Sequence, residues 1–297
     1  MKTPVLNSAR LLLPLVVVVA AGISIRPAEA DNKLTPAELV AKHLESIGAA
    51  EARARVNGTR IKGDATVTVK LCGEGQIDGQ VVMASHDAAN LINMNFDVAA
   101  YPHEAMRYDG KKLTVSQLRP GTRTCLANFF LTHDVMFREG LFGGVLSESW
   151  ALLNVQEHNP KLEYNGLKKI GDKELHVLKY NPRKGSDLKI TLYFDPTSFR
   201  HVRTDYSRTI YATEQRRIAP GGPNLPPASN QQASPARIEA REEFEDFKEE
   251  AGLNLPHTYK FHLSIQSETR PALVDWVFSL KEYAFTSPVD AAEFVIN

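Results

Sequence analysis

The chain has 297 residues, enough for one large domain or two small ones, and its 43% hydrophobic and 24% charged residues are ordinary for a globular protein. Its 35 basic residues balance its 35 acidic residues, which excludes the strongly basic surface of a typical nucleic-acid-binding domain. After residue 30 no apolar run approaches the roughly 20 residues that a membrane-spanning helix requires, so the sequence predicts no span there.

The first 30 residues have the layout of a secretory signal peptide. Lys2 and Arg10 form a basic start, and an almost unbroken apolar run follows over 11–25. Ala28 and Ala30 then place small residues at the spacing that a signal peptidase recognises. This pattern predicts cleavage after Ala30 and a periplasmic or secreted protein. The alternative is an uncleaved anchor that leaves the domain outside the cytoplasm.

The first element predicted after this segment is an amphipathic helix. Thr35 can cap it, Pro36 suits its first position, Glu38 completes a capping box, and Gly48 is a natural end. The apolar residues on its shared face are Leu39, Val40, Leu44 and Ile47. We expect this helix to lie against a larger apolar surface.

From about residue 60 to 118 the hydrophobic period changes to two, which predicts short antiparallel strands with one apolar face. Asp109 and Gly110 are typical of a hairpin turn. Alternating runs resume between about 162 and 206 and again between 261 and 280. The pattern as a whole predicts two groups of antiparallel strands, with helices at the start and in the middle.

The segment between these two strand groups returns to helical spacing over 125–153. Gly140, Gly143 and Gly144 interrupt it, and a second short helix could include Trp150. Its apolar stripe consists of Leu126, Phe129, Phe130, Met136, Phe137 and Leu141. Two interpretations remain open, a core helix packed on the sheet and a mobile lid over an apolar cavity.

The two cysteines, Cys72 and Cys125, are the only ones in the chain. In an oxidising compartment one pair favours a disulfide, which would contribute about 3–4 kcal/mol if its geometry is relaxed. Two separate buried thiols are the alternative. Two cysteines alone do not make a zinc site, and the sequence predicts neither a metal site nor a cofactor.

Residues 217–236 carry five prolines among Gly, Asn, Gln and Ser. This composition predicts a flexible, exposed loop, since it cannot form a packed core. The charged run that follows at 239–247, which includes Phe244 and Phe247, is interpreted as a solvent-exposed strand face. An apolar strand end is expected at 291–296.

Motifs of common enzyme classes are missing from the sequence. It contains no GxSxG, HExxH, Walker loop or GxGxxG pattern, and its 9 histidines are scattered. We therefore expect a protein that is not an enzyme and has no catalytic residues. A hydrolase whose residues come together from distant strands stays open as an alternative.

Several segments of the C-terminal half match the hairpins of one known family. They are 193–199 (YFDPTSF) with Val202 and Arg203, 244–247 (FEDF), 252–256 (GLNLP), and 287–290 (SPVD) with Phe294. In these segments the chain resembles the outer-membrane lipoprotein-sorting, or periplasmic lipoprotein carrier, superfamily with its LolA/LolB-like fold. The resemblance implies one α+β domain over 31–297. It would be a strongly curved, half-open antiparallel β-barrel whose mouth is covered by the N-terminal helix and the mid-chain helices.

Members of that superfamily bind acyl chains or other lipidic ligands, and some are sensors of envelope state. The resemblance therefore implies a periplasmic binding protein for a hydrophobic ligand, such as a lipid or a lipoprotein acyl chain, with a role in trafficking to the outer membrane. The alternative is an envelope sensor or protein-interaction module that uses the loop at 217–236 to bind a protein partner.

A curved sheet closed by helices leaves a cavity lined by every second side chain. The candidate ligand-binding residues are Val67, Val69, Ile92, Met94, Phe96, Leu192, Phe194, Phe261, Leu263, Trp276 and Phe278. The candidate lid residues are Phe129, Phe130, Met136 and Phe137. The alternative is that all of these side chains simply fill the core.

Overall fold

The computed structural model describes residues 34–71, 75–210, 235–267 and 271–285, and its main feature is one antiparallel sheet. The strands are β1 (Thr59–Val69), β2 (Gly75–His86), β3 (Ala89–Phe96), β4 (His103–Tyr108), β5 (Leu113–Val115), β6 (Lys161–Ile170), β7 (Lys173–Asn181), β8 (Lys189–Phe194), β9 (His201–Ile210), β10 (Ala236–Glu250), β11 (Leu253–Gln266) and β12 (Ala272–Ala284). The helices are α1 (Pro36–Ile47), α2 (Ala50–Arg53), α3 (Cys125–Thr132), α4 (Val135–Arg138) and α5 (Val155–His158), with a 3₁₀ turn at Gly144–Leu146.

The sheet has 12 strands in the order β5-β4-β3-β2-β1-β12-β11-β10-β9-β8-β7-β6. It consists of two meanders, β1–β5 and β6–β12, joined where β1 pairs with β12. The outermost strands β5 and β6 do not pair with each other, so the sheet is open. One apolar cluster joins side chains from β3, near one edge, to β7, near the other. The sheet therefore curves around a shared core.

One close approach of strands depends on a glycine in β1. The register between β1 and β12 shifts at Lys62 and Gly63. A Cβ atom on Gly63 would lie 2.1 Å from the carbonyl oxygen of Ser279, far inside van der Waals contact. Only glycine permits this approach, which occurs at a bulge of the kind that bends a sheet.

The N-terminal helix is confirmed in detail. Helix α1 begins after Thr35, whose hydroxyl accepts a hydrogen bond from the Glu38 N–H (3.2 Å), while the Thr35 N–H donates to Glu38 Oε2 (2.7 Å). Gly48 ends the helix. These reciprocal bonds satisfy N–H groups that a helix start otherwise leaves free. None of the helices in the described part of the chain is long and apolar enough to cross a membrane.

The expected fold class is confirmed, since the structure is α+β with a curved, open antiparallel sheet. The segment between β5 and β6 is confirmed as helical, although its helices are short. We call residues 124–158 the plug, because its apolar side chains join the core on the concave face of the sheet.

The charged run at 239–247 is only partly the exposed face that was expected. Alternation along β10 turns Ala240, Glu242 and Phe244 to the concave side, where Glu242 is 0% exposed. The expectation was wrong for these residues because a period of two buries every second residue, whatever its charge. The loop expected at 217–236 ends earlier, since Ala236 already begins β10.

Some expectations concern residues that the structure does not describe. The signal peptide with its cleavage after Ala30, the strand end at 291–296, and the part of the loop up to residue 234 all lie outside the described residues. The sensor alternative depends on that loop and stays a prediction.

Candidate functional site

The candidate ligand-binding residues come together in the structure. Ten of them are buried, and Val69 is partly buried against the same cluster. They line the concave face on β1, β3, β8, β11 and β12. Strand pairing sets some of them side by side, as when Trp276 lies opposite Val67 on one neighbouring strand and Phe261 on the other.

The space over these residues is filled by the plug. The candidate lid residues Phe129, Phe130, Met136 and Phe137 are all buried. The ring of Phe130 lies 5.4 Å from that of Phe261, and Phe129 lies 6.3 Å from it, centroid to centroid. These separations are typical of packed aromatic pairs. The plug therefore packs on the sheet as the core-helix interpretation expects, and its side chains contact the candidate ligand-binding residues.

The centre of the plug is held by a buried carboxylate, Glu242 on β10. Its Oε1 accepts hydrogen bonds from the Gly143 N–H and the Tyr259 hydroxyl, each 2.7 Å long, and its Oε2 accepts one from the Tyr206 hydroxyl at 2.5 Å. Burial raises the pKa of Glu242 to about 7, against the opposing effect of these three donors. The plug backbone is thus tied to the sheet by a group that titrates near neutrality.

Three further carboxylates contribute to the attachment of the plug. Glu104 on β4 accepts a hydrogen bond from the hydroxyl of Thr124, the residue that caps α3. Glu139 accepts one from the Tyr180 hydroxyl of β7 at 3.0 Å, and Glu148 accepts one from the Gly58 N–H at 2.9 Å. Together with Glu242, these contacts make the attachment of the plug partly polar. The side-chain hydrogen bonds of the plug can be exchanged for hydrogen bonds to water one at a time. Opening the sheet would instead break many neighbouring backbone hydrogen bonds together.

A second buried polar cluster joins the plug to α1. The indole N–H of Trp150 donates to His43 Nε2 (3.0 Å), so the proton of that ring is on Nδ1, which donates to the Phe199 carbonyl (3.1 Å). His201 stacks on Trp150 with centroids 4.7 Å apart. Burial lowers the pKa of His43 to about 4 and that of His201 well below its usual value. Both rings are therefore neutral at physiological pH.

An open cavity of about 300 Å³ lies beside the plug, between the α1–α2 region and the start of β11. Its apolar wall consists of Ile47, Val56, Val145, Leu153, Leu253, Leu255 and Phe285. Arg53 and Glu148 are among its polar lining residues, and Leu153 is 37% exposed. This volume is at the lower end for small-molecule sites, so the cavity can receive an apolar group of modest size.

Sequence reasoning missed this cavity. None of the eleven candidate ligand-binding residues lines it. Leu253 and Leu255 continue the alternation seen at Phe261 and Leu263, and that pattern could have included them. Val56 and Phe285 carry no comparable pattern, since each lies outside a helix or strand.

The structure describes only one of the two cysteines of the expected disulfide. Cys125 is a free, partly buried thiol at the start of α3, and Cys72 lies outside the described residues. Burial raises the pKa of the Cys125 thiol, which keeps it protonated and weakly reactive. The pairing stays a prediction.

No family model matches this chain, and no curated protein does. Among solved structures it is similar to a LolA superfamily protein from Nitrosomonas europaea, with 12% identity, 88% of this chain and 98% of that chain covered, and a TM-score of 0.47. It is also similar to a DUF1329 family protein from Desulfovibrio piger (7% identity, 86% and 95% covered, TM-score 0.40). A third structure, described as an outer membrane lipoprotein-sorting domain, comes from Vibrio parahaemolyticus (10% identity, 86% and 97% covered, TM-score 0.39).

Proposed function

We propose that this protein is a periplasmic, non-enzymatic binding protein for a hydrophobic ligand of the acyl-chain class, and that the ligand enters beside the plug. One observation carries the proposal. The plug covers the apolar concave face but contributes no strand to the sheet, so it can move without disturbing the ladder. The cavity of about 300 Å³ marks a place beside the plug that is already open.

The energetics of an acyl chain suit this arrangement. Each buried CH₂ contributes about 0.8 kcal/mol, so a chain that extends from the cavity under the plug gains free energy with every carbon. Moving the plug exposes its own apolar side chains, which opposes binding. The ligand therefore binds only where its chain replaces contacts that the plug gives up. Delivery of lipids or lipoproteins to the outer membrane is the cellular role that we propose for such binding.

The direct test is a search for the ligand and a measurement of its binding. Protein purified from the periplasm is analysed by native mass spectrometry and organic extraction, and is then titrated with a fluorescent fatty acid. We expect a co-purifying acyl lipid and saturable binding. A clean apo mass together with no fatty-acid binding would refute the proposal.

A substitution at the mouth of the cavity tests its location. Leu153→Trp places a larger ring at a partly exposed position of the wall and should weaken fatty-acid binding about tenfold, or about 1.4 kcal/mol. Leu167→Trp is the matched control, because Leu167 is 51% exposed and lies on the edge strand β6. Equal binding by the two variants would exclude this cavity as the entry site.

A further inference from the structure

The turn between β2 and β3 meets the plug at a cluster of three potential metal ligands. His86 is the last residue of β2, Asp87 follows it, and Glu148 belongs to the plug. One nitrogen or oxygen atom from each residue lies within 4.8 Å of the other two. The three side chains come from two separate parts of the chain, so the fold itself brings them together.

The distances in this cluster suit ligands of one ion better than hydrogen-bonded partners. His86 Nδ1 lies 3.7 Å from Glu148 Oε2. Asp87 Oδ2 lies 3.8 Å from the other ring nitrogen, His86 Nε2, and the Asp87 side chain is 85% exposed. Both distances are too long for hydrogen bonds. With bonds of about 2.0–2.2 Å to a tetrahedral ion, neighbouring ligand atoms are about 3.4 Å apart. An ion on His86 Nδ1 and Glu148 would therefore need the exposed Asp87 side chain to turn toward it, over the separation of at most 4.8 Å between the three ligand atoms.

One ring nitrogen of His86 lacks a hydrogen-bond partner. Its Nδ1 is shielded from solvent, and the described residues offer it no such partner. A shielded imidazole nitrogen without a hydrogen-bond partner in the protein is free to bind an ion or a water molecule. This nitrogen is the atom 3.7 Å from Glu148 Oε2, so it is placed to ligate the same ion.

The Glu148 carboxylate is held in place by its surroundings. Its Oε2 accepts a hydrogen bond from the Gly58 N–H (2.9 Å), and its own N–H donates to the hydroxyl of Ser85 (2.8 Å), the neighbour of His86. Hydrogen bonds of this kind fix the orientation of a metal-binding side chain. A cavity of about 350 Å³, lined by Asp87 and Glu148 among others, gives access from solvent.

We propose that His86, Asp87 and Glu148 bind a first-row divalent transition-metal ion, for which zinc is the probe. One imidazole and two carboxylates form a ligand set that Zn²⁺ accepts, and their two negative charges balance the ion. Three protein ligands leave a fourth position for water. The bound ion joins the β2–β3 turn to the plug through Glu148, in addition to that residue's hydrogen bonds with Gly58 and Ser85.

Titration of tag-free, chelator-treated protein with Zn²⁺ by calorimetry tests this proposal. We expect one ion per chain and a higher Tm in zinc. Asp87→Asn and Glu148→Gln should each weaken binding at least about tenfold and abolish the rise in Tm. Both variants are expected to fold, because asparagine tolerates the positive φ of Asp87 (49°) and glutamine can still accept from Gly58.

The control variants are Glu157→Gln and His158→Ala, which change side chains of the same cavity outside the cluster. They should bind zinc as the wild type does. Absence of stoichiometric binding by the wild type would overturn the proposal. So would equal binding by Asp87→Asn and Glu148→Gln, or an equal loss in the two controls. Fatty-acid binding is not part of this readout, so the two proposals fail independently.

Discussion

Glu242 is the residue whose ionisation bears most directly on the position of the plug. It is 0% exposed, and it accepts hydrogen bonds from the plug backbone at Gly143 and from two tyrosines of the sheet. Burial raises its pKa from 4.5 to about 7. A carboxylate that loses its charge near neutral pH can set how firmly the plug is held.

The raised pKa of Glu242 predicts a pH-dependent contribution to stability. Between pH 4.5 and about 7 the folded protein holds a proton that the unfolded chain has released. The contribution of Glu242 is therefore full below pH 4.5 and is lost as the pH rises through 7. The wild type should lose up to about 3 kcal/mol of unfolding free energy relative to Glu242→Gln over this range.

Urea denaturation of both proteins at pH 5 and pH 8 measures this difference. The matched control is Glu243→Gln, the next position on β10, where the side chain lies on the other face and contacts Arg241. It should follow the pH dependence of the wild type. A difference between wild type and Glu242→Gln that does not change with pH would contradict the prediction.

At the scale of elements, the backbone of the plug at Gly144 packs closely against the side chains of Phe244 and His201. The φ of Gly144 is +50°, and a Cβ atom there would lie 2.9 Å from Phe244 Cζ and 3.0 Å from His201 Nδ1. We expect Gly144→Ala to cost about 2–3 kcal/mol, from backbone strain plus overpacking. Urea denaturation measures the cost.

Gly121 provides the control for strain alone. Its φ is +79°, and nothing lies within 4 Å of the position that its Cβ would take. Gly121→Ala should therefore cost only about 1 kcal/mol. Equal losses of unfolding free energy in the two variants would show that crowding against Phe244 and His201 adds nothing to the cost of Gly144→Ala.

The elements that could be predicted from the sequence are those with local causes. Thr35 and Glu38 determine the start of α1 through contacts three residues apart, and strand alternation correctly placed Trp276 and Phe261 on the concave face. Alternation with Ala240 and Phe244 could have placed Glu242 on the inward face, but local pattern could not show what satisfies its carboxylate, because its three donors come from β9, β11 and the plug. The cavity was missed for the same reason, since its wall combines residues far apart in the chain.

At the scale of the whole molecule, the sheet and the plug differ in how they are held. The 12 strands form one continuous hydrogen-bonded ladder. The plug consists of short helices, the longest of which is α3 with 8 residues, and these are marginal without tertiary contacts. Its attachment depends on apolar packing and on a few side-chain hydrogen bonds. Such a segment is expected to open with a lower free energy than the sheet.

Hydrogen–deuterium exchange followed by mass spectrometry should separate these two parts. Amides of α3 and α4 should exchange through openings that leave the sheet intact, whereas those of β10 and β11 should require global unfolding. Saturation with a fatty acid should change exchange in the plug and leave that of β10 and β11 unaltered, because the ligand displaces plug contacts without breaking strand pairs. If plug and sheet amides exchange with the same free energy, the plug is an inseparable part of the core, and ligand entry beneath it is excluded.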